Sequence, residues 1–384
     1  MRTGLDVVLE TLPAAWRGAR VGLLTQSASV DAGGRLGVDL LAAHRDLRLV
    51  RLFAPEHGLR GEHPAGAPIL DGVDGPTGLP VVSLYRGAAG ALPADAFADL
   101  SAVLIDLQDI GCRYYTFPGT ARRLMGDAVR AGVPVHVLDR PNPLGGAVAG
   151  PPTVPRAARS LVAAFDVPVR HGLTLGELLL LAAEEDGLDP HAVQVHRVEG
   201  WRRGDGFQTW GRAWVPPSPN STGPAMAELY PGTCLIEGTN LSEGRGTPYP
   251  FRQIGAPGMD GHRLAERLRP DVPAGITVRP TWFIPTASKH AGALCQGVFL
   301  DLLPGAVRAP DAALVAVIRL LQLLVTDGDV TFSAAHGTYR FDRLLGGPAL
   351  RDHLQHGVPC DDLLAEWRAG CGRFVADRTV ALYD

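Results

Sequence analysis

No Cys-x-x-Cys pair occurs in this chain. Its five cysteines, Cys112, Cys234, Cys295, Cys360 and Cys371, are scattered and odd in number. That disfavours zinc ribbons and thioredoxin-type redox sites and leaves reduced, mostly buried thiols. Lysine is almost absent beside abundant arginine, and no stripe of basic residues breaks the formal net charge of −4. A nucleic-acid partner is therefore not expected. No run approaches the roughly 20 apolar residues of a membrane span. The first ten residues have no apolar signal core, so a cytoplasmic protein is expected, or a periplasmic or secreted one if a signal has been trimmed. A Gly-x-Gly-x-x-Gly after the first strand, a Gly-Lys-Ser/Thr phosphate loop and a Gly-x-Ser-x-Gly elbow are all missing. Nucleotide binding and serine hydrolysis lose their signatures, and no cofactor is expected.

What is present is enough apolar residue, 46% of 384, for sizeable cores. That length predicts two domains, a first over 1–150 and a second over 151–384, divided by the Pro/Gly-rich stretch 141–155. In the first, near-continuous Val/Leu/Ile runs at 19–25, 47–54, 81–85, 102–107 and 134–138 alternate with helical stretches at 36–44 and 120–131. Such runs predict parallel strands covered on both faces, a Rossmann-like open α/β sheet. Polar clusters follow each run: Gln26-Ser27, Glu56-His57, Tyr85-Arg86-Gly87, Gln108-Asp109 with Arg113-Tyr114-Tyr115, and Asp139-Arg140. These are carboxyl ends of strands, where open α/β sheets bind ligands. The second, smaller domain reads as α/β or α+β. It has a capping box at Thr174 and Glu177, a strand at 192–198, helices at 261–268 and 311–325, and a strand at 297–302. A long Pro/Gly/Ser/Asn-rich loop spans 210–258.

Within that loop, residues 235–247 carry Glu237, Asn240, Glu243 and Arg245 among three glycines, after a short strand-like lead at 234–236. A turn needs only Gly and Asn to reverse the chain. Two carboxylates and an arginine on a glycine-rich loop point to a site, with an internal Glu–Arg surface pair as the bland alternative. Glu56, Glu237 and Glu243 are then three glutamates on glycine-flanked loops in two domains. Glycosidic bond cleavage typically needs two carboxyl groups across the scissile bond. Tyr85, Tyr114, Tyr115, Trp210, Trp214, Tyr230 and Tyr249 are available to stack on sugar faces. The cluster Glu56, His57, Glu62 and His63 invites a metal, but Gly58 and Gly61 argue against the helix that a His-x-x-x-His zinc site needs, so no metal is expected.

Seven segments carry a resemblance. They are Phe53-Ala54-Pro55-Glu56-His57-Gly58-Leu59-Arg60-Gly61, Asp106-Leu107-Gln108-Asp109-Ile110-Gly111-Cys112-Arg113-Tyr114-Tyr115-Thr116, the runs 138–143 and 170–177, Pro217-Ser218-Pro219-Asn220, the run 230–247 and Ser288-Lys289-His290. In this order they resemble the bacterial NamZ-type exo-β-N-acetylmuramidases, glycoside hydrolase family 171, from about residue 20 to the C-terminus. The resemblance implies a Rossmann-like domain and a smaller α/β domain with the active site in the cleft between them. It implies release of terminal β-1,4-linked N-acetylmuramic acid from non-reducing ends of peptidoglycan fragments, in cell-wall turnover and recycling. Muropeptides and peptidoglycan disaccharides would be the binding partners. It makes Glu56 the first candidate for a catalytic carboxylate, with Glu237 or Glu243 as its partner. Arg113, Asn240 and Arg245 would grip the sugar. For the lactyl carboxylate the candidates are Arg245, Arg60 and Arg113, since guanidinium pairs bidentately with carboxylate. His57 and His290 would orient carboxylates or bind hydroxyls, and Tyr114, Tyr115 and Asn220 complete the expected substrate contacts. An exo-glycosidase for another amino sugar such as N-acetylglucosamine, and a muropeptide-binding protein without turnover, are the competing readings. A metal-dependent hydrolase ranks behind them.

Overall fold

The computed structural model describes residues 1–85, 92, 95–335 and 337–384. Arg86 and Gly87, which the sequence reading places after the third strand, lie outside the described residues. The apolar runs form the strands they predict, β1 (Arg20–Thr25), β2 (Arg48–Ala54), β4 (Pro80–Ser83), β5 (Ala102–Asp106), β6 (Val135–Leu138) and β7 (Val193–His196), and a short β3 (Gly72–Val73) that the sequence reading does not foresee joins them. They lie in the order β3-β4-β2-β1-β5-β6-β7, parallel throughout except for the β3–β4 edge pair. Alternate side chains serve opposite faces, as the pleat requires. Leu23, Leu52, Leu104 and Leu138 pack under α1 (Gly4–Glu10) and α2 (Gly37–Ala42). Leu24, Phe53, Val103, Ile105 and Val137 pack under α3 (Thr116–Arg130) and α4 (Leu175–Glu185). The capping box of Thr174 and Glu177 starts α4 as its spacing predicts.

The first unit does not stop near residue 150. β7 pairs with β6, so the sheet draws on residues beyond the expected boundary. The Pro/Gly stretch is no linker either. It lies buried over the sheet rim, where Asn142 Nδ2 donates to the Leu173 carbonyl at 2.9 Å and Ala149 bridges to Arg170. Prolines and glycines here shape a packed turn, for which composition alone gives the same signal as a hinge.

The remainder begins with α5 (Pro224–Thr233), opened by Pro224 at its first turn, where a missing N–H costs nothing. The lead at 234–236 is a 3-10 turn, Cys234–Gly238, that continues α5, not a strand. β8 (Gln253–Ala256), α6 (Gly261–Leu268), β9 (Ile276–Phe283), β10 (Cys295–Leu302) and α7 (Ala312–Thr326) follow. The antiparallel sheet has the order β8-β10-β9, so β9 is an edge strand, the position in which Pro280 is tolerated. The chain ends with α8 (Arg340–Leu345), α9 (Ala349–Gln355) and α10 (Asp361–Asp377). One apolar core runs continuously from the α3 face of the large sheet into α5, α7 and α8. The C-terminal tail returns to the large sheet, where the Tyr383 hydroxyl donates to Asp139 at 2.6 Å and Leu382 N–H to Glu177 at 2.9 Å. All five cysteines are buried and free. Among the described residues no helix is long and apolar enough to cross a membrane.

At the end of β5, Asp106 receives two bonds from Arg140, at 2.5 and 3.1 Å, and both side chains are almost wholly buried. Arg140→Met would strand the Asp106 carboxylate. A loss of about 3–5 kcal/mol in urea denaturation is expected. A loss under about 1 kcal/mol, the size of a surface ion pair, would show that the pair does not organise the rim.

Candidate active site

Glu56 stands two residues past β2, on the rim where the polar clusters meet. Pro55 fixes the backbone before it, and His57 takes φ +75°, a left-handed conformation costly for a residue with a side chain. The strained turn swings Glu56 inward, buried, against neutral donors. Gly66 N–H donates to one carboxylate oxygen at 2.9 Å and the Thr116 hydroxyl to the other at 2.8 Å. The Tyr85 phenol also bonds Glu56. Burial first, and then the Glu56 charge, push that phenol above its ordinary pKa. Among the described residues no cation pairs with Glu56. His57 Nδ1 lies 3.1 Å from the His63 carbonyl, which only accepts, so Nδ1 carries the proton and Nε2 keeps its lone pair. Burial outweighs the nearby Glu56 and lowers the His57 pKa, so the ring is neutral at pH 7.

Opposite stands a denser set. Glu237 ends the 3-10 turn, and Gly238 lets that turn lie on α8: a Cβ there would come within 2.7 Å of the Phe341 backbone. Glu237 receives Arg245 at 2.5 Å and also Arg340. Burial pushes its carboxyl up, but the two guanidiniums prevail and hold it below the ordinary glutamate range. Glu243 pairs with Arg245 at 3.1 Å and with Lys289 at 3.0 Å. Arg245 thus grips both glutamates while its guanidinium lies 4.9 Å from the Phe251 ring centre. Lys289 is the only lysine in the chain. Its ammonium also donates to the carbonyls of Ile236 at 2.8 Å and Thr239 at 3.0 Å, a seat for a compact three-donor cation, not for a planar fork. The two sets face each other closely enough for His57 to feel the charge of Arg245, and Tyr85 that of Arg340.

Several expected site residues do other work. Arg113 is buried and spends its guanidinium on four carbonyls: Pro151 at 3.1 Å, Val167 at 2.5 Å, Leu344 at 3.4 Å and Leu345 at 3.0 Å. It ties the large sheet's rim to α8 and does not reach the cleft. The Arg60 fork is taken by Asp74, at 2.7 and 2.9 Å, and by Asp39 at 2.8 Å. Tyr114 is packed inside the core. Asn240 spends its amide on the Asp329 carbonyl and Thr331 N–H, and His290 Nε2 donates to the Asn240 carbonyl at 2.7 Å, so both shape the loop. Tyr115 is buried beside Ser218 and Ser221. Asn220 is half-buried in the adjoining turn. Motif membership does not separate such ties from cleft residues. Thr116 and Arg340 escape a sequence reading because their partners lie far away along the chain. Lys289 stands inside one of the motifs, and its solitude is the available signal. Among the described residues no three metal-ligating side chains cluster.

A carboxylate held by amide and hydroxyl donors and facing a pair held by cations, at the carboxyl ends of a parallel sheet, is an arrangement suited to a hydrolase acting on polar substrates. The comparisons make the class specific. The model of the N-terminal part of the exo-β-N-acetylmuramidase NamZ matches residues 21–224, and that of its C-terminal part residues 228–383. The chain belongs to this family and is a glycoside hydrolase. The peptidoglycan β-N-acetylmuramidase NamZ of Bacillus subtilis (strain 168) is 35% identical over 379 residues, 98% of this chain and 90% of that protein. Two crystal structures of DUF1343 family proteins from Bacteroides fragilis share the fold, with TM-scores of 0.85 and 0.76 at 28% and 25% identity. Each comparison covers 100% of this chain and 99% of the other.

Arg113→Met is expected to leave four buried carbonyls without their donor and to lower stability by at least about 3 kcal/mol in urea melts. Wild-type stability would remove the tie. Glu237, held ionised, stabilises the fold above the ordinary glutamate pKa of about 4.3, and this stabilisation is lost as pH falls through its lower folded value. Glu237→Gln is therefore expected to be less stable than wild type at pH 7, with the gap closing toward pH 3. A gap independent of pH would contradict the ion-pair assignment.

Proposed function

We propose that this chain releases terminal β-linked N-acetylmuramic acid from the non-reducing ends of peptidoglycan fragments, with Glu56 as the proton-transferring carboxylate. The observation that carries this reading is the unequal treatment of three glutamates. Glu237 and Glu243 are locked to Arg245, Arg340 and Lys289, whereas the partners of Glu56 among the described residues are all neutral. A carboxylate bound to two cations is a poor proton donor, because protonation forfeits both ion pairs. Glu56 has no such ion pair to forfeit among the described residues.

In the proposed reaction the Glu56 carboxyl protonates the glycosidic oxygen as the C1–O bond breaks, and the bond's electron pair leaves with that oxygen. The remaining sugar departs as an alcohol. Water then adds at C1 and yields its proton to the Glu56 carboxylate, restoring the acid. Glu237, held ionised by its two guanidiniums, and Glu243, paired with Arg245 and Lys289, balance the positive charge that develops on the sugar ring. Arg340 is 60% exposed and, among the described residues, its side chain is anchored by Glu237 alone, so it has donors to spare for the lactyl carboxylate of muramic acid. Arg245, the first choice from sequence, is occupied on both sides. Release of single sugars from fragment ends fits cell-wall turnover and recycling.

Purified protein is expected to release para-nitrophenol from para-nitrophenyl N-acetylmuramic acid and not from the N-acetylglucosamine analogue. Glu56→Gln should keep its melting temperature while kcat falls by at least about 100-fold. Equal turnover of both sugars would move the specificity to amino sugars in general. A Glu56→Gln variant with wild-type kcat would remove Glu56 from the chemistry.

A further inference from the structure

The strand order β2-β1-β5 sets side by side two strands whose chains leave for opposite faces, β1 toward α2 and β5 toward α3. Open α/β sheets bind ligands outside the carboxyl ends of their strands at such a point. A cavity of about 70 Å³ lies there, lined by Ala28 and Val30 after β1, Gln108 after β5 and Arg140 after β6. It is far below the roughly 300 Å³ of a pocket that encloses a whole small molecule, and about twice the roughly 30 Å³ share of one water. It suits a substituent of a few heavy atoms. One wall is aromatic: the Phe207 ring centre lies 5.0 Å from that of Trp210 and 5.1 Å from that of Trp214.

Unspent polar groups of both kinds remain in this lining. Trp210 is buried, and its indole N–H has no acceptor among the described residues. Arg212 pairs one terminal nitrogen with Asp6, and its Nε and Nη1 have no acceptor among the described residues either. Gln108 supplies the opposite. Its side-chain nitrogen donates to the carbonyls of Asp109 at 2.8 Å and Pro141 at 3.0 Å, which fixes the orientation of the amide. Its Oε1 is left as a free acceptor, which no donor among the described residues reaches. Charge is already balanced, because Asp31 is paired with Arg35, Arg140 with Asp106 and Arg212 with Asp6. A free carboxylate would enter without a counterion of its own. A neutral secondary amide brings one acceptor oxygen, one N–H and a methyl group for the rings.

The cavity adjoins the candidate active site. Ser27, next to Ala28, lies against the Glu56 loop, where a Cβ on Gly61 would stand 2.9 Å from the serine hydroxyl. The Trp214 indole donates to the Ser221 carbonyl at 2.8 Å, and Ser221 stands beside Tyr115, whose phenol senses the Glu56 charge. Among the described residues none of 234–250 or 288–290 is in the lining, so the cavity lies on the Glu56 side, away from the wall of Glu237 and Glu243. A carboxyl that protonates the leaving oxygen stands on the side where the leaving sugar departs.

We propose that this cavity receives the 2-acetamido group of the sugar on the leaving side of the scissile bond, with Trp210 and Arg212 donating to its carbonyl and Gln108 accepting its N–H. The inference rests on the exo-muramidase reading. The enzyme then selects fragments in which the terminal muramic acid is followed by an N-acetylated amino sugar. Trp210 and Gln108 set specificity and take no part in proton transfer.

The test uses the full chain and three disaccharides, in which N-acetylmuramic acid is β-1,4-linked to N-acetylglucosamine, to glucose or to N-butyrylglucosamine. In wild type kcat/KM for the N-acetyl form should be at least about tenfold above both others, because glucose leaves buried donors unpaired and butyryl overfills the cavity. Trp210→Phe keeps a ring and removes the N–H, and Ala28→Leu fills the cavity. In each, the preference for N-acetylglucosamine over glucose should shrink by about fivefold or more, at a melting temperature near that of wild type. Equal kcat/KM for the N-acetyl and glucose forms in wild type would overturn the proposal. So would unhindered cleavage of the N-butyryl form, which an acetamido group lying in solvent would allow, or a preference unchanged in both folded variants. If neither variant folds, the wild-type series decides alone. Absence of para-nitrophenol release from para-nitrophenyl N-acetylmuramic acid, which has no leaving sugar, would instead refute the exo-muramidase reading.

Discussion

The candidate site depends on a buried guanidinium that spends its donors on backbone carbonyls. Arg113 sits where the motif after β5 turns into α3, and it holds carbonyls from both sides of the cleft. Three residues later in the chain, Thr116 positions Glu56. At the other end of the tie, α8 carries Arg340 to Glu237. Glu56 and Glu237 therefore share one rigid link. A hydrophobic seam of equal size would resist separation but not sliding. A fork with directed donors also fixes register, which carboxylate geometry needs to within fractions of an ångström.

Around that link the charges are divided. The large sheet supplies a glutamate with neutral partners, whereas the smaller part supplies two glutamates bound by three cations. Lys289 shows how local chemistry overrides composition. In a chain that uses arginine almost everywhere, the one lysine stands where an ammonium meets a carboxylate and two carbonyls.

Much of the fold was legible because its signals are local. Parallel strands buried on both faces must be apolar throughout, so β1, β2, β5 and β6 announce themselves, as does α4 through its capping box. The errors arise where one signal has two causes. The Pro/Gly stretch at 141–155 reads as a linker and is a buried turn. Residues 234–236 read as a strand because three apolar residues precede a polar loop, but Pro231 inside α5 masks the helix they continue. In the site, Glu56, Glu237, Glu243 and Arg245 were legible as carboxylates and cation on glycine-rich loops. Arg60, Arg113, Tyr114 and Asn240 have the right chemistry in the right motifs, and only their partners, distant in sequence, assign them to architecture. The roles of Thr116, Lys289 and Arg340 likewise exist only in three dimensions.

The most direct test of this division of labour is a crystal structure of the Glu56→Gln variant with an intact muramic acid–glucosamine disaccharide. The glycosidic oxygen is expected within about 3 Å of the amide introduced at position 56. Arg245 is expected still to bridge Glu237 and Glu243 along the opposite wall. A scissile oxygen seated against Glu237 or Glu243, with their ion pairs opened and position 56 out of reach, would contradict the assignment of proton transfer to Glu56.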